Sequence, residues 1–333
     1  MFFFVTGGTG FIGQRLVRVM RERGHRVRAL VRRASAKTAL ASLGVEVVEG
    51  DLVTGAALDK AVHGVDAVMH LAGLTKARTA DDYFRGNALG TRNLAAAVAR
   101  MPHPARFVYC SSLAAAGPSS LEQPRVESDP PAPVSTYGKS KLAGEAALRD
   151  YVGRFEAVVV RPPIVYGPAD KEFLPSVLPM AKLGWVLKSG FGPKRYSMIH
   201  VDDLCDALLA AAERGKPLSA TNAADGVYFV SDEREYTWEE FSSALAQALG
   251  RGTPRMVSVP NAVSYAVGLG SELGARVRGS VPILNRDKVK ELAAAAWTCS
   301  PARAKAEIDY APKFPLQAGL DSTVQWFREE GLL

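Results

Sequence analysis

Along the first half of the chain, short runs rich in Val, Ile and Phe alternate with stretches whose apolar residues recur every three or four positions. The runs are "FFFVTG", "RVRALV", "VEVVEG", "DAVMHLAG", "RFVYCSS" and "EAVVVRPP". Between them lie the helix-period stretches "FIGQRLVRVMRERG", "TRNLAAAVARM" and "KSKLAGEAALRDYVGRF". In the first of these, Ile12, Leu16, Val19 and Met20 form one apolar stripe. Strands rich in Val, Ile and Phe, separated by helices, predict a parallel sheet covered on both faces. Near "PPIVYGPADKEFLP" prolines and glycines break the alternation, and the remainder is less regular, predicting a smaller second domain. The expected division gives residues 1–167 and about 198–226 to the first domain, and about 168–197 and 227–333 to the second.

Composition adds little to this picture. At 333 residues, with 47% hydrophobic and 23% charged residues, the chain has room for a sizeable core and no sign of disorder. The net charge of +7 lacks the clustered basic face of a nucleic-acid binder, apart from Arg18 to Arg33. Three isolated cysteines, Cys110, Cys205 and Cys299, give neither a disulfide framework nor a metal site, which fits a reducing, cytoplasmic setting. "MFFFV" has no basic region before it, so no signal peptide is expected. The moderately apolar segment Val259 to Val277, interrupted by Glu272 and Arg276, is too polar to span a membrane. It reads as a buried core helix, or as one facing substrate or a surface.

The candidate chemistry begins at "VTGGTGFIG", which joins the first strand to the first helix through Gly7, Gly10 and Gly13. Glycine there allows a tight turn, lets backbone N–H groups reach a pyrophosphate, and lets the helix pack close to the strand. About twenty residues further on, a carboxylate would hold the ribose 2′-hydroxyl of NAD. Here Arg32 and Arg33 stand instead, and guanidinium groups suit the 2′-phosphate of NADP, so NADP(H) is expected, with NAD(H) as the alternative. Asp51, closing a strand, either meets the adenine amino group or caps the strand end. "VSTYGKSK" puts Tyr137 and Lys141 one helical turn apart, with Ser135 or Thr136 as the cap. Such a lysine would favour the phenolate and lower the tyrosine's pKa. "HVDDL", from His200 to Leu204, reads as a strand end and helix cap rather than as a metal or acid-base site. His70 reads as packed near a cofactor, and His25, His63 and His103 as loop residues.

Seven segments in order, "TGGTGFIG", "GDL", "HLAG", "GNALGT", "VYCSS", "YGKSK" and "RPPIVYGP", resemble the extended short-chain dehydrogenase/reductase family, also called the NAD-dependent epimerase/dehydratase family. "IHVDDL" and "YFVSDEREYTWEEF" extend the likeness. The resemblance implies an α/β fold, a Rossmann-type doubly wound parallel sheet with a smaller, irregular C-terminal substrate domain. It implies a catalytic set of Ser112, Tyr137 and Lys141 assisted by Asn87, with Ser111 as the fallback serine. Asn87 would hold a water linking the lysine to solvent, and the lysine would also reach the nicotinamide ribose. The cofactor groove would be lined by Gly7, Thr9, Gly10, Phe11, Ile12, Gly13, Arg32, Arg33, Asp51, Leu52, Leu71, Ala72, Gly73, Tyr137, Lys141, Pro163, Ile164 and Val165. No metal is implied. A homodimer formed through the helices that contain Ala88 to Arg100 and Tyr137 to Val152 is.

Two departures bear on the reaction. Sugar-nucleotide members usually read "NVYGP", where this chain has "IVYGP" from Ile164. They also carry an Arg where Tyr196 stands, with Arg195 beside it. Both favour reduction of a ketone, or oxidation of a secondary alcohol, on a fairly apolar small molecule. Sugar-nucleotide epimerisation or dehydration is the first alternative and a non-catalytic dinucleotide sensor the second. Phe173, Leu174, Leu178, Tyr196, Met198 and Tyr265 are the expected substrate contacts.

Overall fold

The computed structural model describes residues 1–32, 40–278 and 286–333. Its first layer is a sheet of seven strands. β1 (Phe2–Thr6), β2 (Arg26–Val31), β3 (Glu46–Glu49), β4 (Ala67–His70), β5 (Arg106–Cys110) and β6 (Ala157–Arg161) are the six expected runs. Three further strands, β7 (Ile164–Tyr166), β8 (Trp185–Ser189) and β9 (Arg195–His200), follow before β10 (Val227–Phe229) completes the sheet. The order is β10-β6-β5-β4-β1-β2-β3, all parallel. The chain therefore reverses direction across the sheet between β1 and β4, which opens a crevice at the carboxyl ends of those two strands.

Both faces of the sheet are covered, which is why its central strands are buried along most of their length. On one side α1 (Phe11–Glu22) packs with Leu16, Val17 and Met20 inward, beside a helix formed later in the chain, Val201–Arg214. On the other lie α2 (Leu58–Val62), α3 (Ala80–Phe84), a π-helical turn (Arg85–Leu89) and α4 (Gly90–Ala99). α5 (Leu113–Ala116) and α6 (Thr136–Arg149) follow β5. Phe4, Phe107 and Tyr109 are fully buried under this second layer, each worth about 1.5–3 kcal/mol relative to exposure.

The second region contains α7 (Leu174–Lys182), two small sheets and the C-terminal helices. The helix just mentioned is α8 (Val201–Arg214), followed by β11 (Glu235–Thr237), α9 (Trp238–Ala248), β12 (Arg255–Val259) and α10 (Asn261–Arg278). α11 (Arg286–Ala293), β13 (Ala296–Trp297), α12 (Ala302–Ile308) and α13 (Leu316–Glu329) complete the chain. β9 sits between β11 and β13 and also pairs with β7, while β8 pairs with β12 alone.

Two features link the parts of the chain on either side of the expected boundary near 226. β10 begins at Val227, past the expected boundary at 226, and pairs in register with β6. α12 also returns to pack on α8 and β10. A strand pairs wherever its backbone finds a sheet edge, so the chain re-enters the first layer after a boundary placed by composition. The basic run also has local uses: Arg21 donates to the Leu43 and His25 carbonyls, and Arg28 to Glu46 and to the Ala61 and His63 carbonyls. Arg23 pairs with Asp206.

Candidate active site

The glycine loop and the turn after β4 meet at the crevice. Gly7 has φ 76°, and a Cβ there would lie 2.6 Å from the Ala72 amide nitrogen. Only a residue without a side chain fits both the turn and this approach. The Gly10 amide donates to the Gly7 carbonyl at 2.9 Å, and Gly13 packs over the same carbonyl at the start of α1. α1 has no side-chain cap, so the amides of its first turn, from Phe11 to Gly13, are free to meet a pyrophosphate.

The other expected groove residues follow the carboxyl edge of the sheet. Thr9, Gly10 and Gly73 are exposed, while Phe11, Ile12, Leu71, Ala72, Asp51, Leu52, Pro163, Ile164 and Val165 are half-buried. Arg32 is exposed at the tip of β2; Arg33 lies outside the described residues. Asp51 Oδ1 accepts from the Val53 and Thr54 amides at 2.7 and 2.9 Å, so one carboxylate oxygen already caps a turn. These side chains and the Gly7 cradle fit a dinucleotide.

The reacting end is built where β5 stops. Ser112 caps α5, its Oγ accepting from the Ala114 amide at 3.1 Å. Ser135 caps α6, its Oγ accepting from the Gly138 amide at 3.0 Å. A side chain on Gly138 would collide with the Ala114 carbonyl, so α5 lies directly against the first turn of α6. That contact sets the Ser112 side chain beside Tyr137.

In the free chain burial, and not Lys141, sets the direction of the phenol's shift. Burial pushes the Tyr137 phenol well above its ordinary pKa; the neighbouring Ser112 opposes this, and the Glu291 and Glu172 carboxylates reinforce it. The Lys141 ammonium is aimed elsewhere, donating to the Cys110 carbonyl at 2.7 Å and lying 4.5 Å from the centre of the Tyr109 ring. Burial lowers its pKa to about 8, with Cys110 and Glu145 pulling it back up. At neutral pH the site therefore holds a protonated phenol above a lysine that is still mostly charged.

Asn87 lies in the π-helical turn and is fully buried. Its Oδ1 accepts from the Leu74 amide at 2.6 Å, and its Nδ2 donates to the Leu74 carbonyl at 3.0 Å and to Ser140 Oγ at 2.8 Å. The carboxamide thus ties the turn after β4 to α6.

Below the phenol is a charged cluster that the sequence reading missed. Arg161 donates to both oxygens of Glu145, at 2.9 and 2.6 Å, and both side chains are almost wholly buried. Ser111 Oγ completes the cluster, donating to Glu145 Oε1 at 2.5 Å. This separates the two adjacent serines: Ser111 points inward as support, and Ser112 faces the phenol. An arginine ending an otherwise apolar strand, and a glutamate one turn beyond Lys141, were the available signals. His70 is likewise enclosed, between Thr6 Oγ1 and Thr91 Oγ1, and burial lowers its pKa to about 3.

The expected substrate contacts divide. Leu174 and Met198 are fully buried, with Leu178 and Tyr196 nearly so, in a core shared with Tyr166 and Phe241. These four therefore hold the second region together and do not line an open cleft. An apolar residue beside a proline break gives the same sequence signal in either role. Phe173 is half-buried, and Tyr265 is exposed on α10. The cleft is instead spanned by polar links: Thr75 donates to Glu172 at 2.7 Å, and two α11 carboxylates hold the start of α6. Glu291 accepts from Ser135 Oγ at 2.6 Å and Asp287 from the Thr136 amide at 3.1 Å.

In the "HVDDL" segment, His200 caps α8 and Asp202 pairs with Arg15. Asp203 accepts from the Lys313 and Phe314 amides. Among the described residues, no group of three or more His, Cys, Asp or Glu is placed to hold a metal ion.

The comparisons agree with this geometry. Residues 3–224 match the NAD dependent epimerase/dehydratase family. A ceramide reductase of Caulobacter vibrioides is 36% identical over 331 residues, covering 99% of this chain and 95% of that protein. A 4-hydroxy-2-methyl-3-oxo-4-farnesyl-3,4-dihydroquinoline-1-oxide ketoreductase of Stigmatella aurantiaca is 31% identical, covering 97% and 95%. The solved UDP-glucose 4-epimerase of Thermotoga maritima, with UDP-glucose, shares the fold at TM-score 0.78 and 22% identity, covering 99% of each chain. The chain belongs to the NAD-dependent epimerase/dehydratase family, the extended short-chain dehydrogenases/reductases, and its sheet has the Rossmann order.

Proposed function

We propose that the protein is an NADP(H)-dependent oxidoreductase that moves hydride between the nicotinamide and a ketone or secondary alcohol of an apolar, lipid-like molecule. The carrying observation is the Tyr137 phenol, set beside Ser112 and protonated at neutral pH. A ketone oxygen gains charge as its carbon is reduced, and it needs a proton donor and a second hydrogen bond at that moment. Tyr137 supplies the proton, Ser112 orients the oxygen, and the Lys141 charge beneath them stabilises the phenolate that remains. The nicotinamide, when bound, supplies the hydride. Gly7, Gly10 and the first turn of α1 would hold the pyrophosphate, with Arg32 and Arg33 at the adenosine 2′-phosphate.

Two similar proteins are named as reductases of a ceramide and of a farnesyl-bearing quinoline, which supports an apolar substrate. The position that would carry a diphosphate-binding arginine holds Tyr196, packed 5.6 Å from the Trp238 ring, and Arg195 faces Glu235 at 3.6 Å. Neither is free to clamp a sugar nucleotide, which argues against the epimerase reading. The test is a panel of keto lipids and steroids: stoichiometric NADPH oxidation supports the reductase, and sugar-nucleotide turnover without net cofactor use would replace it.

Two further results are expected. Arg32→Ser together with Arg33→Ser weakens NADPH binding about tenfold or more and leaves NADH binding unchanged, as calorimetry would show. The rate of reduction falls above pH about 8 as Lys141 loses its charge, because its pKa lies there while the phenol titrates higher. In Lys141→Arg any remaining activity should lack that alkaline limb in a kcat profile, since arginine stays charged.

The homodimer reading is supported by a shallow hollow lined by Phe84, Ala88, Leu89, Arg92, Ala143 and Ala147, on the face that α4 and α6 share. Phe84 and Leu89 are each 39% exposed there. A cytoplasmic setting is supported by Cys110, Cys205 and Cys299, all free and buried.

A further inference from the structure

α10 is turned inside out. The side it gives to the protein is small and polar: Gly268 is buried, Ser264 and Ser271 are half-buried, and Ser264 bonds Ser189 at 3.3 Å. Around the rest of its circumference Val263, Tyr265, Val267 and Leu269 are 48%, 43%, 55% and 41% exposed. A surface helix in water shows the opposite arrangement.

This face continues onto the β8–β12 ribbon. Ser189 bonds Asn261 and Ser264 of α10, and Leu187 and Trp185 lie on the same face of β8 at alternate positions. Trp185 and Leu187 are 44% and 47% exposed, and the turns at either end of β8 add Leu183 and Phe191, at 77% and 74%. Clustered apolar exposure of this kind marks a surface that meets another phase or partner.

The charge around the face selects the partner. Residues 173–194 contain three lysines and no Asp or Glu, although Lys194 is buried against the Leu292 to Ala294 carbonyls, and residues 251–271 contain two arginines and no Asp or Glu. Lys182, Arg251 and Arg255 are exposed at its rim, and the Arg255 guanidinium stands 5.9 Å from the Trp185 ring. Lys188 is already paired with Glu239. Apolar residues flanked by Trp, Lys and Arg match a lipid boundary, where chains take up the apolar groups and anionic headgroups the cations. Among the described residues no helix is long and apolar enough to cross a membrane, so contact would be from one side.

We propose that the α10 and β8–β12 face docks this protein onto anionic phospholipid bilayers. The same helical pair reaches the catalytic helix, since α10 packs on α11, whose Asp287 and Glu291 hold Thr136 and Ser135. Docking therefore places the cleft beside the membrane surface, and a lipid substrate passes to Tyr137 without crossing water. That last step rests on the reductase reading; docking does not.

The test is flotation of the full chain with vesicles of phosphatidylcholine alone and of phosphatidylcholine mixed with phosphatidylglycerol. Binding is expected to the mixed vesicles only, and to weaken as salt is raised. Val263→Asp with Val267→Asp, and separately Lys182→Glu with Arg255→Glu, should each lower it about tenfold or more. NADPH binding and melting temperature should stay unchanged in both, showing that the variants are folded. Failure of the wild type to float with mixed vesicles at low salt, or equal flotation of folded variants, would overturn the proposal. So would a dimer that the variants dissociate while vesicle binding is absent, since the face would then join two copies of the chain. NADPH-dependent turnover of a soluble ketone reports on the reductase reading separately.

Discussion

Tyr137→Phe lowers kcat for ketone reduction about a thousandfold while NADPH affinity and melting temperature stay close to wild type. The phenol is the one acidic hydrogen placed beside Ser112 at the end of β5, and positioned general acids contribute about 10²–10⁴-fold. Burial holds the group protonated, so removing its hydroxyl removes the proton and not a charge. The fold should tolerate the change, because the ring still packs 6.3 Å from the Tyr83 ring. Stopped-flow reduction with NADPH in excess checks this directly. Ser112→Ala, which removes an orienting hydrogen bond but leaves the acid, should cost less.

Arg161→Met destabilises the protein by about 3–5 kcal/mol, because it leaves the Glu145 carboxylate buried without its partner. The pair is 5% and 2% exposed, so water cannot replace the lost guanidinium. Glu145→Gln in the same chain should recover much of the loss, since the remaining group is neutral and Ser111 can still bond to it. Denaturant titration of the two single variants and the double variant gives the coupling. If Arg161→Met alone melts like wild type, the cluster does not support α6 as described.

The sequence made the first layer legible because its signals are local. A glycine turn between strand and helix, a tyrosine and lysine one turn apart, and strands rich in Val and Phe each announce their own geometry. The doubly wound order was implied by the family resemblance and not by these local signals. The pairing of β10 with β6 was less legible, because it depends on a sheet edge formed far away in sequence.

The site was legible in its members and not in their directions. Spacing put Lys141 on the face of Tyr137, but the Cys110 carbonyl, 31 residues upstream, determines where the ammonium points. Glu145 and Arg161, 16 residues apart, meet only because β6 ends beneath α6. Asn87 was picked out by its place before "GT", whereas its partners at Leu74 and Ser140 depend on two loops meeting. Apolarity alone could not tell Leu174 and Met198 in a core from residues lining a cleft, and in α10 it concealed a helix with its apolar side outward.

Reduction of a long-chain keto lipid with NADPH carrying deuterium at the transferable C4 position tests the central claim most directly. The predicted result is one deuterium on the new carbinol carbon for each NADPH consumed, with the reaction lost in Tyr137→Phe. Oxidation of NADPH without label in the lipid, or sugar-nucleotide turnover that leaves the cofactor count unchanged, would contradict it.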